Sequence, residues 1–366
     1  MRRAHAGSLC LFFLAPFFGA QEVAGARDGW ASRLSAANFG VAALATFQTD
    51  AAAYYKQGDE HFQAGRYAEA VEAFKQLVKL RADVPQGHFY LGLAHYRLKQ
   101  YAEAAVAFKE AARLKPDHYA AHVYLGNSLD SSGRFGEAVA AYKEATRIQP
   151  GNPSAHYELG VAYFNEKRYA EAEAAYREVV RLKPDYKGAH DNLGETLNRL
   201  GRTEEAIAAY LEAVRLNAND AEAYRHLGDA RGKLKQYAEA EAAYKAATRL
   251  QPNDALAQFG LGNVYSNTKR LAEAVESYRE AARLKPDWAT AHNYLGNAYR
   301  QLGKPAEAVA SYREAVRANP ALAEAHYKLA LTYLEQNDRA AAEKTYETLK
   351  ALDAGMAAKL KAALDK

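Results

Sequence analysis

Small, apolar and polar residues recur along this chain with a period of 34 residues. The tripeptide Leu-Lys-Pro begins at Leu114, Leu182 and Leu284, and the spacings between these sites are multiples of that period. Within each period, two stretches with an apolar face predict two helices, at about positions 2–14 and 17–30. Nine units follow without interruption: 51–84, 85–118, 119–152, 153–186, 187–220, 221–254, 255–288, 289–322 and 323–356.

Three positions of the unit predict how its helices pack. Position 8 is glycine in eight units and Ala330 in the ninth, and position 20 is alanine in all nine. Glycine inside a helix costs about 1 kcal/mol relative to alanine, so its repetition predicts close approach of the paired helices. Position 24 is always aromatic, and these rings are expected to fill the space between neighbouring units.

Two further positions concern the ends of the helices. Proline occupies position 32 in six units and is predicted to end the second helix, because it lacks an amide donor and clashes with the preceding turn. Asp117, Asp185 and Asp287 follow three of these prolines and are predicted to cap the next helix.

With this set of positions the chain resembles the tetratricopeptide-repeat (TPR) family. The period, Leu-Gly at positions 7 and 8, and the alanine, aromatic residue and proline at positions 20, 24 and 32 all match it. The resemblance implies an all-α fold, a right-handed α-solenoid (the TPR superhelix) of stacked antiparallel helix pairs. Where the family often has tryptophan at position 4, six units have histidine: His88, His122, His156, His190, His292 and His326.

Both ends of the chain differ from the repeats. Residues 1–26 have a basic start, a short apolar run and small residues, which predicts a secretory signal peptide cleaved after Ala26 or, alternatively, after Ala20. Residues 27–50 are an N-terminal leader for which the sequence leaves two alternatives, a helix packed on the first unit or a loose segment. Residues 357–366 are predicted to form a capping helix with Leu360 and Leu364 on one face. Because of the predicted signal peptide, we expect an exported, periplasmic protein.

Composition narrows the class of partner. The 366 residues include 48 Lys plus Arg and 44 Asp plus Glu, a formal charge of +4 that gives no reason to expect a nucleic acid. The apolar run of residues 9–18 is shorter than the ~20 residues of a membrane-spanning helix, so we expect no stable membrane insertion after signal cleavage. The one cysteine, Cys10, lies inside the predicted signal peptide.

No catalytic residue, metal ligand or cofactor is predicted. The sequence has no HExxH, GxxxxGK[ST], GxSxG or GxGxxG motif. The histidines at position 4 occur once per unit, and helices pack about 8–10 Å apart, so they are interpreted as fold residues that cannot share one metal. His118 and His122 have the spacing of a metal-binding pair but lack a third ligand.

The family resemblance implies that positions 2, 5, 9, 12 and 13 of the first helices line a groove. These positions do not follow the repeat consensus, so we expect that packing does not dictate them. Exposed aromatic side chains are typical binding anchors, and asparagine amides can hold a peptide backbone. The alternative is that some of the aromatics pack against residues 27–50. The candidate partner-binding residues are Tyr55, Phe62, Phe89, Tyr96, Asn127, Tyr157, Phe164, Asn198, Arg199, Arg225, Asn263, Asn267, Asn293 and Asn297.

The predicted function is a non-catalytic scaffold or adaptor of the cell envelope that binds a protein or an extended peptide. Position 5 is never lysine, which argues against the carboxylate clamp of the chaperone-binding members of the family. One alternative is a substrate-recruiting partner of a separate enzyme such as a glycosyltransferase. Another is a self-assembling envelope protein, and a homo-oligomer is compatible with either.

Overall fold

The computed structural model describes the backbone of residues 41–365 and the side chains of residues 50–365. This part of the chain contains 19 α-helices and no strand, which confirms the all-α solenoid of stacked helix pairs. In chain order, helices α1 to α19 are Val41–Gln63, Tyr67–Leu80, Pro85–Arg97, Tyr101–Leu114, Tyr119–Ser131, Phe135–Ile148, Pro153–Asn165, Tyr169–Leu182, Ala189–Arg199, Thr203–Leu216, Ala221–Lys233, Tyr237–Leu250, Ala255–Asn267, Leu271–Leu284, Ala289–Gln301, Pro305–Ala318, Ala323–Glu335, Arg339–Leu352 and Ala354–Leu364.

The chain forms two compact units, one ending at Ile148 and the other beginning at Gln149. The first unit contains repeats one to three (α1–α6). The second contains repeats four to nine and the last helix (α7–α19). Within each unit, the two helices of a repeat pack on each other, and the second helix also packs on the first helix of the next repeat.

The turn between the two helices of a repeat is the same in all nine repeats. Position 15 has a φ between 59° and 80°, a left-handed conformation that suits glycine and asparagine better than other residues. The next residue then hydrogen bonds back to the first helix, as the Arg66 amide does to the His61 carbonyl at 2.9 Å. The position-15 residues are Gly65, Lys99, Gly133, Lys167, Gly201, Lys235, Lys269, Gly303 and Asn337.

The packing prediction for positions 8, 20 and 24 is confirmed. A Cβ atom added to Gly126 would lie 2.5 Å from the ring of Tyr142, the aromatic residue at position 24 of the same repeat. Equivalent contacts of 2.5 to 2.8 Å occur at all eight glycines of position 8. Every alanine at position 20 is fully buried. Glycine is therefore kept inside these helices because the facing ring occupies the space of a side chain.

The histidines at position 4 are fold residues, as predicted. Each donates from Nε2 to the backbone carbonyl at position 32 of the preceding repeat. That carbonyl belongs to Pro116 for His122, at 3.0 Å, and to Pro184 for His190, at 2.8 Å. The bond satisfies a carbonyl in the loop that follows the second helix, just beyond its C-cap residue, where no helical amide is available as a donor. The other four donors are His88, His156, His292 and His326.

The predicted capping aspartates are wrong by at least one residue. Asp117, Asp185 and Asp287 precede the cap, because the first helix starts after position 34 in most repeats. The position-34 residue caps the helix where its side chain can accept, as Asp220 does from the Ala223 amide at 3.1 Å and Asp254 does from the Leu256 amide at 2.9 Å.

Both ends of the solenoid differ in detail from the sequence expectation. Helix α1 begins at Val41, so the last part of the predicted leader 27–50 continues into the first repeat as one helix. The predicted signal peptide and residues 27–40 lie outside the described residues. Helix α19 begins at Ala354, where Asp353 caps it, and it buries Leu360 and Leu364 as predicted.

Candidate functional site

All the candidate partner-binding residues lie on the first helices of the repeats. First helices of neighbouring repeats contact each other directly, as α3 and α5 do in the first unit and α9 and α11 do in the second. Their outward positions 2, 9, 12 and 13 therefore form a continuous surface within each unit, which we call the first-helix face.

Position 5 does not belong to this face, which corrects the expectation that packing leaves it free. Phe89 stacks on His118 with ring centroids 4.8 Å apart and meets the edge of Tyr124 of the next repeat at 5.9 Å. Tyr55 and Tyr157 make the equivalent contacts, with Tyr90 at 5.5 Å and Tyr186 at 5.1 Å. Position 5 thus forms the junction between one repeat and the next, together with positions 34 and 6′, where 6′ is position 6 of the following repeat.

The junction of repeats five and six is ionic. His226 donates from Nδ1 to Asp191, with distances of 3.0 and 3.2 Å to the two carboxylate oxygens. Burial acts to lower the pKa of His226, but the hydrogen bond and charge of Asp191 outweigh it and the pKa is raised. At the next junction, between repeats six and seven, Arg225 at position 5 pairs with Asp254 at position 34, at 3.4 Å, and with Glu222 at 3.2 Å. Arg225 is therefore committed to internal ion pairs.

The junction of repeats eight and nine contains a buried amide. Asn293 is 2% exposed, and its Oδ1 atom accepts no hydrogen bond from any described residue. A buried side chain cannot contact a partner on the first-helix face, so Asn293 is removed from the candidate site. Buried polar atoms without a partner are rare in proteins because each loses its hydration without replacement.

The predicted aromatic residues at position 12 are half-buried on their own repeats. Phe62, Tyr96 and Phe164 each meet the edge of the aromatic residue at position 17, with centroids 5.2 to 5.4 Å apart. The other predicted residues at positions 12 and 13 have contacts within the first-helix face. Asn198 accepts from Lys233 at 3.1 Å, Arg199 pairs with Glu195 at 3.0 Å, and Asn267 donates to the Asn263 carbonyl at 2.8 Å.

The asparagines at position 9 have one end of the amide fixed. Tyr142, Tyr278 and Tyr312 donate their hydroxyls to Oδ1 of Asn127, Asn263 and Asn297, at 2.6, 2.8 and 2.8 Å. Burial raises the pKa of Tyr278 and of Tyr312, so these hydroxyls remain donors at neutral pH. Within the described chain no acceptor bonds the three Nδ2 groups. Each of these amides therefore has its donors available at the surface.

A cleft of about 600 Å³ opens on the first-helix face of repeats seven to nine. Arg300 and Glu335 form an ion pair of 2.6 Å across one side of it. Tyr294, which is 39% exposed, lies edge-on to Phe259 at 5.2 Å. The lining residues are Ser266, Tyr294, Asn297, Arg300, Gln301, Lys328 and Glu335.

Comparison with known families decides the identity of the repeats. The tetratricopeptide-repeat profile matches residues 55–119, 100–153, 124–187 and 225–287, which together exceed half of the chain. The chain belongs to the tetratricopeptide-repeat family. A second repeat profile matches residues 194–235 and 296–337, and a third matches residues 323–355. Proteins of this family are protein-interaction scaffolds, and this TPR chain is one of them.

Solved structures of other TPR proteins are similar. The C-terminal part of a TPR protein from Cytophaga hutchinsonii is 18% identical (TM-score 0.53; 62% of this chain and 94% of that chain). PilF of Pseudomonas aeruginosa is 20% identical (TM-score 0.51; 58% and 97%). YrrB, described as a TPR protein with an unusual peptide-binding site, is 26% identical (TM-score 0.45; 51% and 96%). The first two share the fold. No curated protein sequence matches the chain.

Residues 50–365 contain no group of three or more His, Cys, Asp or Glu side chains that could hold a metal ion. His118 and His122 each have a role in the fold, since His118 accepts from the Ala121 amide and His122 donates to the Pro116 carbonyl. No described helix combines the length and hydrophobicity that a membrane span requires.

Proposed function

We propose that this chain is a non-catalytic scaffold of the cell envelope that binds an extended segment of a partner protein on its first-helix face. Extended segments expose unpaired backbone carbonyls and amides, so a surface with fixed side-chain donors can bind them with little dependence on their sequence. The contact is assigned to the first-helix face because the asparagine donors at position 9 are available there, whereas the aromatic side chains at position 5 pack at the junction with the next repeat.

One observation carries the proposal. Asn127, Asn263 and Asn297 occupy the same position of their repeats, and a buried tyrosine hydroxyl binds Oδ1 of each. This bond fixes the rotation of the amide, so less conformational entropy is lost when Nδ2 donates to a partner. Asn263 and Asn297 belong to adjacent repeats, which gives a bound segment two equivalent contacts in succession.

The test replaces the Nδ2 donors of these asparagines and keeps the hydrogen bonds that their side chains accept from the tyrosines. In the double variant Asn263→Asp, Asn297→Asp, each carboxylate oxygen can still accept from its tyrosine, as Asp229 already does from Tyr244 at 2.7 Å. The Nδ2 donors become acceptors, so we expect peptides selected from a displayed random library on the wild-type chain to lose at least tenfold in affinity. Calorimetric titration with synthetic copies of the peptides measures the change.

The matched control is Asn219→Asp, Asn253→Asp, which adds the same charge at exposed turn residues of the same unit. It should bind the selected peptides as the wild type does. Equal binding by the control and the first-helix variant would remove these asparagines from the contact. Failure of the wild type to select any peptide would contradict the proposed function itself.

The envelope location is part of the proposal and rests on the sequence of residues 1–26. Its test is N-terminal sequencing of the chain recovered from the periplasm of a Gram-negative host. We expect a mature start at Arg27, or at Gln21 if cleavage follows Ala20. An intact Met1 on a chain retained in the cytoplasm would contradict it.

A further inference from the structure

We propose that the cleft of repeats seven to nine binds an acidic side chain, an aspartate or glutamate within the partner's extended segment. This inference rests on the proposed function and adds the chemistry of one contact. The cleft is formed by Asn297 of the position-9 series, by its neighbours Tyr294, Arg300 and Gln301 on helix α15, and by Lys328 of the next repeat.

The charges of the cleft leave one cation in excess. Its charged lining residues are Arg300, Lys328 and Glu335. Arg300 and Glu335 neutralise each other, with contacts from Nε and from a terminal nitrogen of the guanidinium at 2.8 and 2.6 Å. Lys328 has no carboxylate within 4.0 Å among the described residues, although Glu324 lies one helical turn before it. Among the residues that line the cleft, the charge without an opposite partner is therefore the Lys328 ammonium.

The polar groups around Lys328 also favour an anion. The Nδ2 group of Asn297 is a donor only, and the bond from the Tyr312 hydroxyl to Oδ1 fixes the orientation of the amide. Ser266, Tyr294 and Gln301 add groups that can donate. A carboxylate accepts from several donors at once, and hydrogen bonds to a charged group are stronger than neutral ones. A basic side chain of a partner would instead meet Lys328 and the fixed amide donor.

Lys328 occupies position 6′ at the junction of repeats eight and nine, and the residue at this position differs from one junction to another. In other junctions of the second unit the same position is Asn192, which donates to Tyr157 at 2.9 Å, or His226, which donates to Asp191, or Tyr294, which packs on Phe259. Each of those side chains is used by the fold. Lys328 has no hydrogen bond or ring contact through its side chain among the described residues, so its charge is available to a partner.

The test is a selection with the full chain against a random dodecapeptide library fused through the peptide carboxyl ends, so that any carboxylate comes from a side chain. We expect wild-type selections to be enriched in Asp or Glu at one position, and Lys328→Arg to retain the enrichment. Lys328→Gln should abolish it and weaken a selected synthetic peptide roughly tenfold or more, because a charge-assisted contact is lost. Lys328→Glu should shift the preference to Lys or Arg.

The control is Lys344→Gln, which removes an exposed lysine from the second helix of the same repeat. It should leave both enrichment and affinity unchanged. Selected peptides without an acidic preference, or peptides bound equally by Lys328→Gln, would overturn this inference while leaving the proposed function in place. Absence of any selected peptide would overturn both. Comparison of amidated and free synthetic peptides separates a side-chain carboxylate from a terminal one, and a requirement for the free terminus would also overturn it.

Discussion

Two junctions between repeats occupy the same positions of the repeat and use opposite chemistry. Between repeats two and three, Phe89 packs on His118 and Tyr124, so the junction is aromatic. Between repeats five and six, Asp191 and His226 form an ion pair at the equivalent positions. The repeat therefore fixes where neighbouring units touch and leaves open whether stacking or charge stabilises the contact.

The two histidines show the difference most directly. Burial lowers the pKa of His118 to about 4, and the nearby charge of Lys115 acts in the same direction. Burial also opposes protonation of His226, but Asp191 reverses the net effect and the pKa is raised. A pKa that differs between the folded and the unfolded chain makes the stability depend on pH. Because the two pKa values are shifted in opposite directions, acid should destabilise one junction and stabilise the other.

The largest expected effect comes from breaking the ionic junction. Asp191→Leu removes the carboxylate that is hydrogen bonded to His226 and leaves Glu222, at 4.0 Å from the other ring nitrogen. Removal of one partner of a largely buried pair costs about 3 kcal/mol. The loss should appear as faster amide hydrogen exchange in helices α9 and α11 and as a lower urea midpoint of the chain.

A second variant sharpens this comparison. Asp191→Phe combined with His226→Tyr copies the Phe89–Tyr124 pair. The ring of Tyr210 already lies 5.5 Å from the ring of His226, as the ring of Phe108 lies 5.4 Å from that of Tyr124. A well-packed apolar replacement of an ion pair is often neutral or stabilising, so its stability should return to within about 1 kcal/mol of the wild type. A double variant as unstable as Asp191→Leu would show that the two junctions are not interchangeable.

The pH dependence of the junctions is the next largest effect. Since the folded pKa of His118 is about 4 and the unfolded value is about 6.5, its contribution to stability is present above pH 6.5 and decreases as the pH falls. Between pH 7 and pH 5 the loss is about 2 kcal/mol. The contribution of His226 is present below pH 6.5 and is lost as the pH rises through its raised pKa.

Imidazole NMR titration checks these signs. The signals are assigned with His118→Leu and His226→Phe, each of which removes one resonance. Midpoints below 6.5 for His118 and above 6.5 for His226 are expected. A common midpoint near the unperturbed value would contradict the comparison.

The sequence predicted the features that most repeats share, because those recur at a fixed period. Gly126 against Tyr142, the buried alanines at position 20 and the fold role of the position-4 histidines are such features. The carbonyl that each histidine binds is not predicted, although the position-32 residue that supplies it, a proline in five cases and Ala82 for His88, is visible in the sequence.

What varies between repeats was harder to predict. Position 5 has no consensus, which predicts surface residues there, but Phe89 packs on Tyr124 at position 6′ and Asn293 is buried. A second matched pair links an asparagine or aspartate at position 9 with a tyrosine at position 24, as in Asn127 and Tyr142, whereas Leu93 accompanies Phe108. Repeats one, four, five and nine do not follow this pairing, with Asp59 beside Phe74 and with Val161, Glu195 and Leu331 beside tyrosines.

The smallest expected effect tests a third kind of junction, the one that contains Asn293. Its Oδ1 atom is buried without a donor among the described residues, so Asn293→Leu, which nearly preserves the shape of the side chain, removes an uncompensated polar group. The expected gain is about 1 kcal/mol, measured by the urea midpoint and by slower exchange in helices α15 and α17. Asn297→Leu, one turn along the same helix, is the contrasting variant, because it deprives the Tyr312 hydroxyl of its acceptor and should destabilise the chain. A loss of stability in Asn293→Leu would mean that the amide of this junction is stabilising, as the charges of the ionic junction are.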